Sequence, residues 1–179
     1  MRRIAIVGIG NRLMGDDGFG SYLAEALEGN VKGCDVIDLG ASGISSLEIL
    51  KDYDVIILID AIMLEDNKDI FITKMDQEID SEEITSTVVD FQYSGSHGLG
   101  IQSVITTLRI LGYTPEVYVF GCKPYVLDVK MGISDELMSK LDQIVTSLYN
   151  FLKKFGIEFD TQKTIEKLKL VIKDSGSNK

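Results

Sequence analysis

The sequence predicts an α/β protein, a three-layer αβα sandwich on an open, twisted, mostly parallel sheet that is doubly wound. Three observations carry that expectation. The runs Arg3 to Val7 and Val55 to Ile59 are almost wholly apolar and β-branched, as strands covered on both faces are. Helical amphipathic stretches alternate with such strands along the chain. The 179 residues, 45% hydrophobic and 26% charged with only 2 Pro, suit one globular core and argue against a disordered or fibrous chain.

The first strand ends in Gly8-Ile-Gly-Asn11, a tight turn. A helix follows, with Phe19, Tyr22, Leu23, Ala26 and Leu27 at helical spacing, Asp16 and Asp17 where acids favour a helix start, and Gly29 as the stop. Asp35 to Leu39 reads as a short strand, Ile44 to Leu50 as a short helix, and Val55 to Ile59 as a buried strand ended by Asp60. Further strands are expected at Ile70 to Met75, Thr85 to Val89 and Glu116 to Gly121. Between the last two, a helix from about Leu99 to Leu111 buries Ile101, Val104, Ile105, Leu108 and Leu111, with Gly112 closing it. Ser134 caps a long helix with the stripe Leu137, Leu141, Ile144, Leu148, Leu152 and Phe155. Lys153 and Lys154 complement its dipole before Gly156. Residues 1–156 are thus expected to form a single α/β domain. Residues 157–179 read as a C-terminal appendage, a short amphipathic segment around Ile165, Leu168, Val171 and Ile172 with a flexible Ser-Gly-Ser-Asn-Lys tail.

Composition narrows the partners. Lys and Arg total 18 against 28 Asp and Glu, a net charge of −10, which repels phosphate backbones and anionic lipid, so no nucleic-acid or membrane partner is expected. Eight acidic residues lie between 65 and 83 against Lys68 and Lys74, either a solvated face or a docking surface for a basic partner. The opening apolar run meets Gly8 and Gly10 well short of a signal-peptide core, and no stretch reaches the length of a membrane span. Cys34 and Cys122 lack C-x-x-C spacing and suggest no disulfide framework, so a cytoplasmic location is expected.

Open α/β sheets bind ligands beyond the carboxyl ends of their strands. Three polar clusters belong there: Gly8 to Gly20, Asp60, and Ser94 to Gly100. The chain has no G-x-S-x-G elbow, H-E-x-x-H pair or Walker A loop, and Gly8-Ile9-Gly10 lacks the third glycine of a dinucleotide fingerprint, Leu13 standing there. His97 is its single histidine. Asp17, Asp60 and His97 each fall at the carboxyl edge. Two carboxylates and an imidazole with coordination positions left open suit a divalent transition metal such as nickel or zinc. Humbler roles stand beside that one: Asp16 or Asp17 as a helix cap, Asp60 as a strand end, His97 as a solvated loop residue, and both cysteines as small core residues. A Cys122/His97 thiol hydrolase is a further alternative.

The segment Gly8-Ile-Gly-Asn-Arg-Leu-Met-Gly-Asp-Asp-Gly-Phe-Gly20 resembles the opening signature of the nickel–iron hydrogenase maturation endopeptidases. Asp38-Leu-Gly-Ala-Ser-Gly43, Ile57-Leu-Ile-Asp-Ala61, Ser96-His-Gly-Leu-Gly100, Gly121-Cys-Lys-Pro124 and Gly132-Ile-Ser134 follow in family order, so the resemblance runs over residues 3 to 152. It implies a hydrolase, with a phosphorylase/hydrolase-like form of the sandwich, that removes the C-terminal extension of the hydrogenase large-subunit precursor after nickel insertion. Carried over by position, the family's metal-contacting residues are Asp17, Asp60 and His97, and the nickel is carried by the substrate precursor. A non-proteolytic nickel- or partner-binding module of the same fold is the alternative. Cys122 departs from the family pattern, where an aliphatic residue is expected.

Overall fold

A computed structural model describes residues 2–41, 46–63, 68–75 and 101–177. The strands are β1 (Ile4–Ile9), β2 (Val31–Lys32), β3 (Asp35–Gly40), β4 (Val55–Ala61), β5 (Ile70–Met75), β6 (Glu116–Cys122) and β7 (Glu158–Phe159). The helices are α1 (Phe19–Leu27), α2 (Leu47–Leu50), α3 (Ile101–Ile110), α4 (Asp135–Ser139), α5 (Leu141–Leu152) and α6 (Thr161–Ser177). Among the described residues the central sheet runs β3-β1-β4-β6-β5. β1 pairs in parallel with β3 and β4, and β4 with β6, while β5 closes the edge antiparallel to β6.

The three-layer sandwich follows from strand alternation. Ile4, Ile6, Val55, Ile57, Ile59 and Phe120 point to one face and pack with apolar residues of α1, α5 and α6. Ala5, Val7, Ile9, Ile56, Leu58, Val117 and Val119 point to the other, with Leu50, Ile105 and Leu108. Both faces being covered, β1 has no solvent-facing position, which is why its sequence shows no alternation. The chain leaves β1 for β3 on one side and returns to β4 on the other. The crevice between the carboxyl ends of β1 and β4 is therefore the topological switch point.

Some elements differ from expectation. The long helix after Ser134 is two, α4 and α5, broken at Lys140 (φ −102°, ψ 2°). There the Lys140 ammonium sits 2.6 Å from Asp69 and over the Tyr125 ring. Leu111 is not core: α3 ends at Ile110, and the turn through Gly112 carries Leu111 off the buried face to 61% exposure. Phe155 is only half-buried, against the Tyr118 and Phe151 rings. The C-terminal helix reaches Ser177, longer than its apolar stripe suggests. Asp160 starts it by accepting from the Lys163 N–H at 2.9 Å, and Asn30 ties that end to α1 through Thr164 Oγ1 at 2.7 Å. Ahead of it β7 pairs antiparallel with β2, and Ile165, Leu168 and Ile172 join the core beside α1 and α5. The strand expected at Thr85 to Val89 lies outside the described residues, as does most of the acidic stretch. Among the described residues no helix is long and apolar enough to cross a membrane.

Candidate active site

The glycine-rich segment after β1 is shaped by close backbone approach. A Cβ on Gly10 (φ +143°) would lie 1.9 Å from the Asp17 carbonyl oxygen, and one on Gly20 would lie 2.1 Å from that of Ile59 and 2.3 Å from that of Ile9. The first contact folds the turn back on itself. The second wedges the start of α1 between the carboxyl ends of β1 and β4. Together they bring a short 3-10 turn, Gly15–Gly18, to the switch point beside Asp60.

The two aspartates of that turn do different work, and neither caps α1, whose N-cap is Gly18. Asp16 is fully buried. Its Oδ1 accepts from the Ser134 N–H at 2.6 Å. Its Oδ2 accepts from the N–H groups of Tyr125 and Val126 at 2.8 and 3.0 Å and from Ser134 Oγ at 2.8 Å. Ser134 Oγ also accepts from the Leu137 N–H at 3.1 Å, so one hydroxyl caps α4 and holds Asp16. Asp16 thus fastens the turn to the loop after β6. Sequence reasoning found Ser134 as a cap and missed this second bond, for which no local spacing is a signal.

Asp17 and Asp60 are both buried and lie near enough for the Asp17 charge to act on Asp60. Asp17 Oδ2 accepts from the Asn11 N–H at 2.9 Å, and Asp60 Oδ1 accepts from the Ala61 N–H at 2.8 Å. Burial pushes the Asp60 carboxyl well above the usual carboxylate range, the Asp17 charge pushes it further, and the Ala61 N–H offsets only part of this. Two acids that resist joint ionisation are a site where a cation is favourable. His97 lies outside the described residues. Among the described residues no three of His, Cys, Asp and Glu gather as a metal-binding group; of the three expected ligands, Asp17 and Asp60 lie within electrostatic reach of each other.

Cys122 ends β6, paired in register with Ala61. Its thiol is buried and is pushed well above the ordinary value, first by burial and then by the charges of Asp60 and Asp16. Such a thiol stays protonated at neutral pH and is a poor nucleophile. It fills the core between the strand ends instead.

Comparison with known proteins identifies the family and the fold. The family model of hydrogenase maturation proteases matches residues 21–150. A hydrogenase expression/formation protein of Rhodobacter capsulatus is 27% identical over 171 residues, covering 91% of this chain and 77% of that one. A relative in Methanocaldococcus jannaschii, named for hydrogenase maturation protease activity, is 33% identical over 161 residues and covers 84% of this chain and 97% of its own. The solved hydrogenase maturating endopeptidase of Escherichia coli superposes with a TM-score of 0.72 at 25% identity, covering 87% of this chain and 95% of its own. The chain belongs to the hydrogenase maturation protease family, and is an enzyme of the peptide-hydrolase class.

Proposed function

We propose that this protein is a cytoplasmic endopeptidase that removes the C-terminal extension of a nickel–iron hydrogenase large-subunit precursor once nickel is in place, reading that nickel through Asp17, Asp60 and His97. The observation that carries the reading is the buried Asp17–Asp60 pair at the switch point, with Asp60 held toward its protonated form. A substrate-borne divalent cation displaces that proton and balances both carboxylates, so a loaded precursor gains binding energy that an empty one lacks. Two oxygens and one imidazole leave coordination positions for the precursor's own ligands. The cation then serves as an anchor that sets the scissile bond over the carboxyl edge.

The test is intact-mass spectrometry of a hydrogenase large-subunit precursor from the same organism, nickel-loaded and nickel-free, incubated with this protein. A single C-terminal loss confined to the loaded sample is expected. Equal cleavage of both samples overturns the nickel checkpoint. Binding of the loaded precursor with no cleavage overturns the protease reading in favour of a non-proteolytic module.

A further inference from the structure

Arg12 sits on the turn between β1 and α1 and joins three parts of the fold. Its Nε donates to Ser21 Oγ at 2.7 Å, and its Nη2 donates to the Ser21 carbonyl at 3.0 Å and to Asp38 Oδ2 at 2.8 Å. Nη1 donates to the Glu25 carboxylate, and the guanidinium lies over the Tyr22 ring, 4.7 Å from its centroid. Ser21 Oγ also reaches Asp38 Oδ2 at 2.9 Å. The Arg12 backbone is equally engaged. A Cβ on Gly18 would lie 2.7 Å from Arg12 Cα, and the Arg12 carbonyl accepts from the Tyr22 hydroxyl at 3.4 Å. That hydroxyl accepts from the Gly132 N–H at 3.1 Å. One residue before Arg12, Asn11 gives its N–H to Asp17.

We propose that Arg12 is a positioning residue: it pins the turn that carries Asn11 and Asp17 onto α1 and β3, so that Asp17 already faces Asp60 before substrate arrives. The inference rests on Asp17 and Asp60 being the functional pair. Half-exposed ion pairs contribute little by charge alone. What this arrangement uses is the planar fork, whose nitrogens reach Ser21, Glu25 and Asp38 at once while its face stacks on Tyr22. A lysine supplies the charge and not the fork.

Amide hydrogen exchange by NMR on the wild type, Arg12→Lys and Arg12→Met, alongside steady-state processing of the nickel-loaded precursor, tests this. Both variants are expected to speed exchange at the Asn11 amide at least about tenfold and to leave Ile57 and Leu58 in β4 within about twofold. Both are expected to lower kcat/KM about tenfold or more, chiefly by raising KM, because a displaced Asp17 no longer meets the substrate-borne cation in a preset geometry. Wild-type exchange at Asn11 in Arg12→Met overturns the proposal, as does full rescue by Arg12→Lys. Acceleration spread equally into β4 also overturns it, marking Arg12 as a general stabiliser. If the wild type leaves the loaded precursor uncut, the protease reading fails, and the exchange ratios alone decide the role of Arg12.

Discussion

Replacing each aspartate of the 3-10 turn by asparagine separates a residue that holds the fold from one that serves the site. Asp16 accepts four hydrogen bonds, one on Oδ1 and three on Oδ2. In Asp16→Asn one oxygen becomes an NH2 donor, and the less harmful orientation turns it toward the Ser134 N–H. That strands two buried donors, the Ser134 N–H and the NH2 set against it, at about 1–3 kcal/mol each, and makes three charge-assisted bonds neutral, at roughly 0.5–1 kcal/mol each. The total is about 6 kcal/mol, which lowers Tm by roughly 12–24 °C for a domain of this size. Asp17→Asn keeps an oxygen for the Asn11 N–H and removes the charge that opposes ionisation of Asp60. Its stability is expected within about 1 kcal/mol of wild type or above it, with precursor processing lost. Urea and thermal unfolding followed by circular dichroism, paired with the mass assay, read both effects. Equal melting of the two variants would refute the assignment, as would an Asp16→Asn protein within about 1 kcal/mol of wild type.

Three further outcomes are expected. Asp60 titrates higher folded than unfolded, so the stability it contributes is complete below the usual carboxylate range and is lost as pH rises through its raised folded value. Asp60→Asn escapes that loss: its Tm should exceed that of the wild type near pH 8 and converge with it toward pH 4, and a gap independent of pH sinks the argument. At pH 8, iodoacetamide should leave native Cys122 unlabelled, react slowly with Cys34, whose thiol burial pushes up to about 12, and label both after unfolding in urea. Cys122→Ser should process normally; rapid native labelling of Cys122 would revive a thiol mechanism. Removing residues 157–179 strips Ile157, Phe159, Ile165, Leu168 and Ile172 from the core, at roughly 1.5–3 kcal/mol each, which matches the whole stability of an ordinary domain. A 1–156 fragment is therefore expected not to fold, and a cooperative melt from it would contradict this packing.

The fold was legible where burial imprints a period. β1 and β4 are covered on both faces and so read as unbroken apolar runs, and the alternating elements between them implied the parallel order. Legibility failed where structure leaves the period intact or has none. Leu137, Leu141 and Ile144 stay on one buried stripe across the break at Lys140, so periodicity alone reads a single helix. β2 and β7 are two residues each and exist only by pairing Val31 with Phe159 and Lys32 with Glu158, a long-range contact with no local trace. The length of α6 was hidden because its lysine-rich outer face dilutes the stripe formed by Ile165, Leu168 and Ile172.

The site shows the same division at finer scale. Asp16 and Asp17 are identical in type and adjacent in sequence, and neither composition nor spacing tells them apart. Their difference arises from the turn they occupy. A 3-10 turn advances about 120° per residue, so neighbouring side chains must leave in different directions. Once one carboxylate is seized by Tyr125, Val126 and Ser134, the next is turned away from that loop, and the wedge at Gly20 sets the turn beside Asp60. The phase of the turn, fixed by Asp16, thus decides which acid is offered to the crevice. On the proposed function Asp16 acts only through Asp17, so any loss of processing in an Asp16 variant should come with loss of stability, whereas loss through Asp17 should come without it.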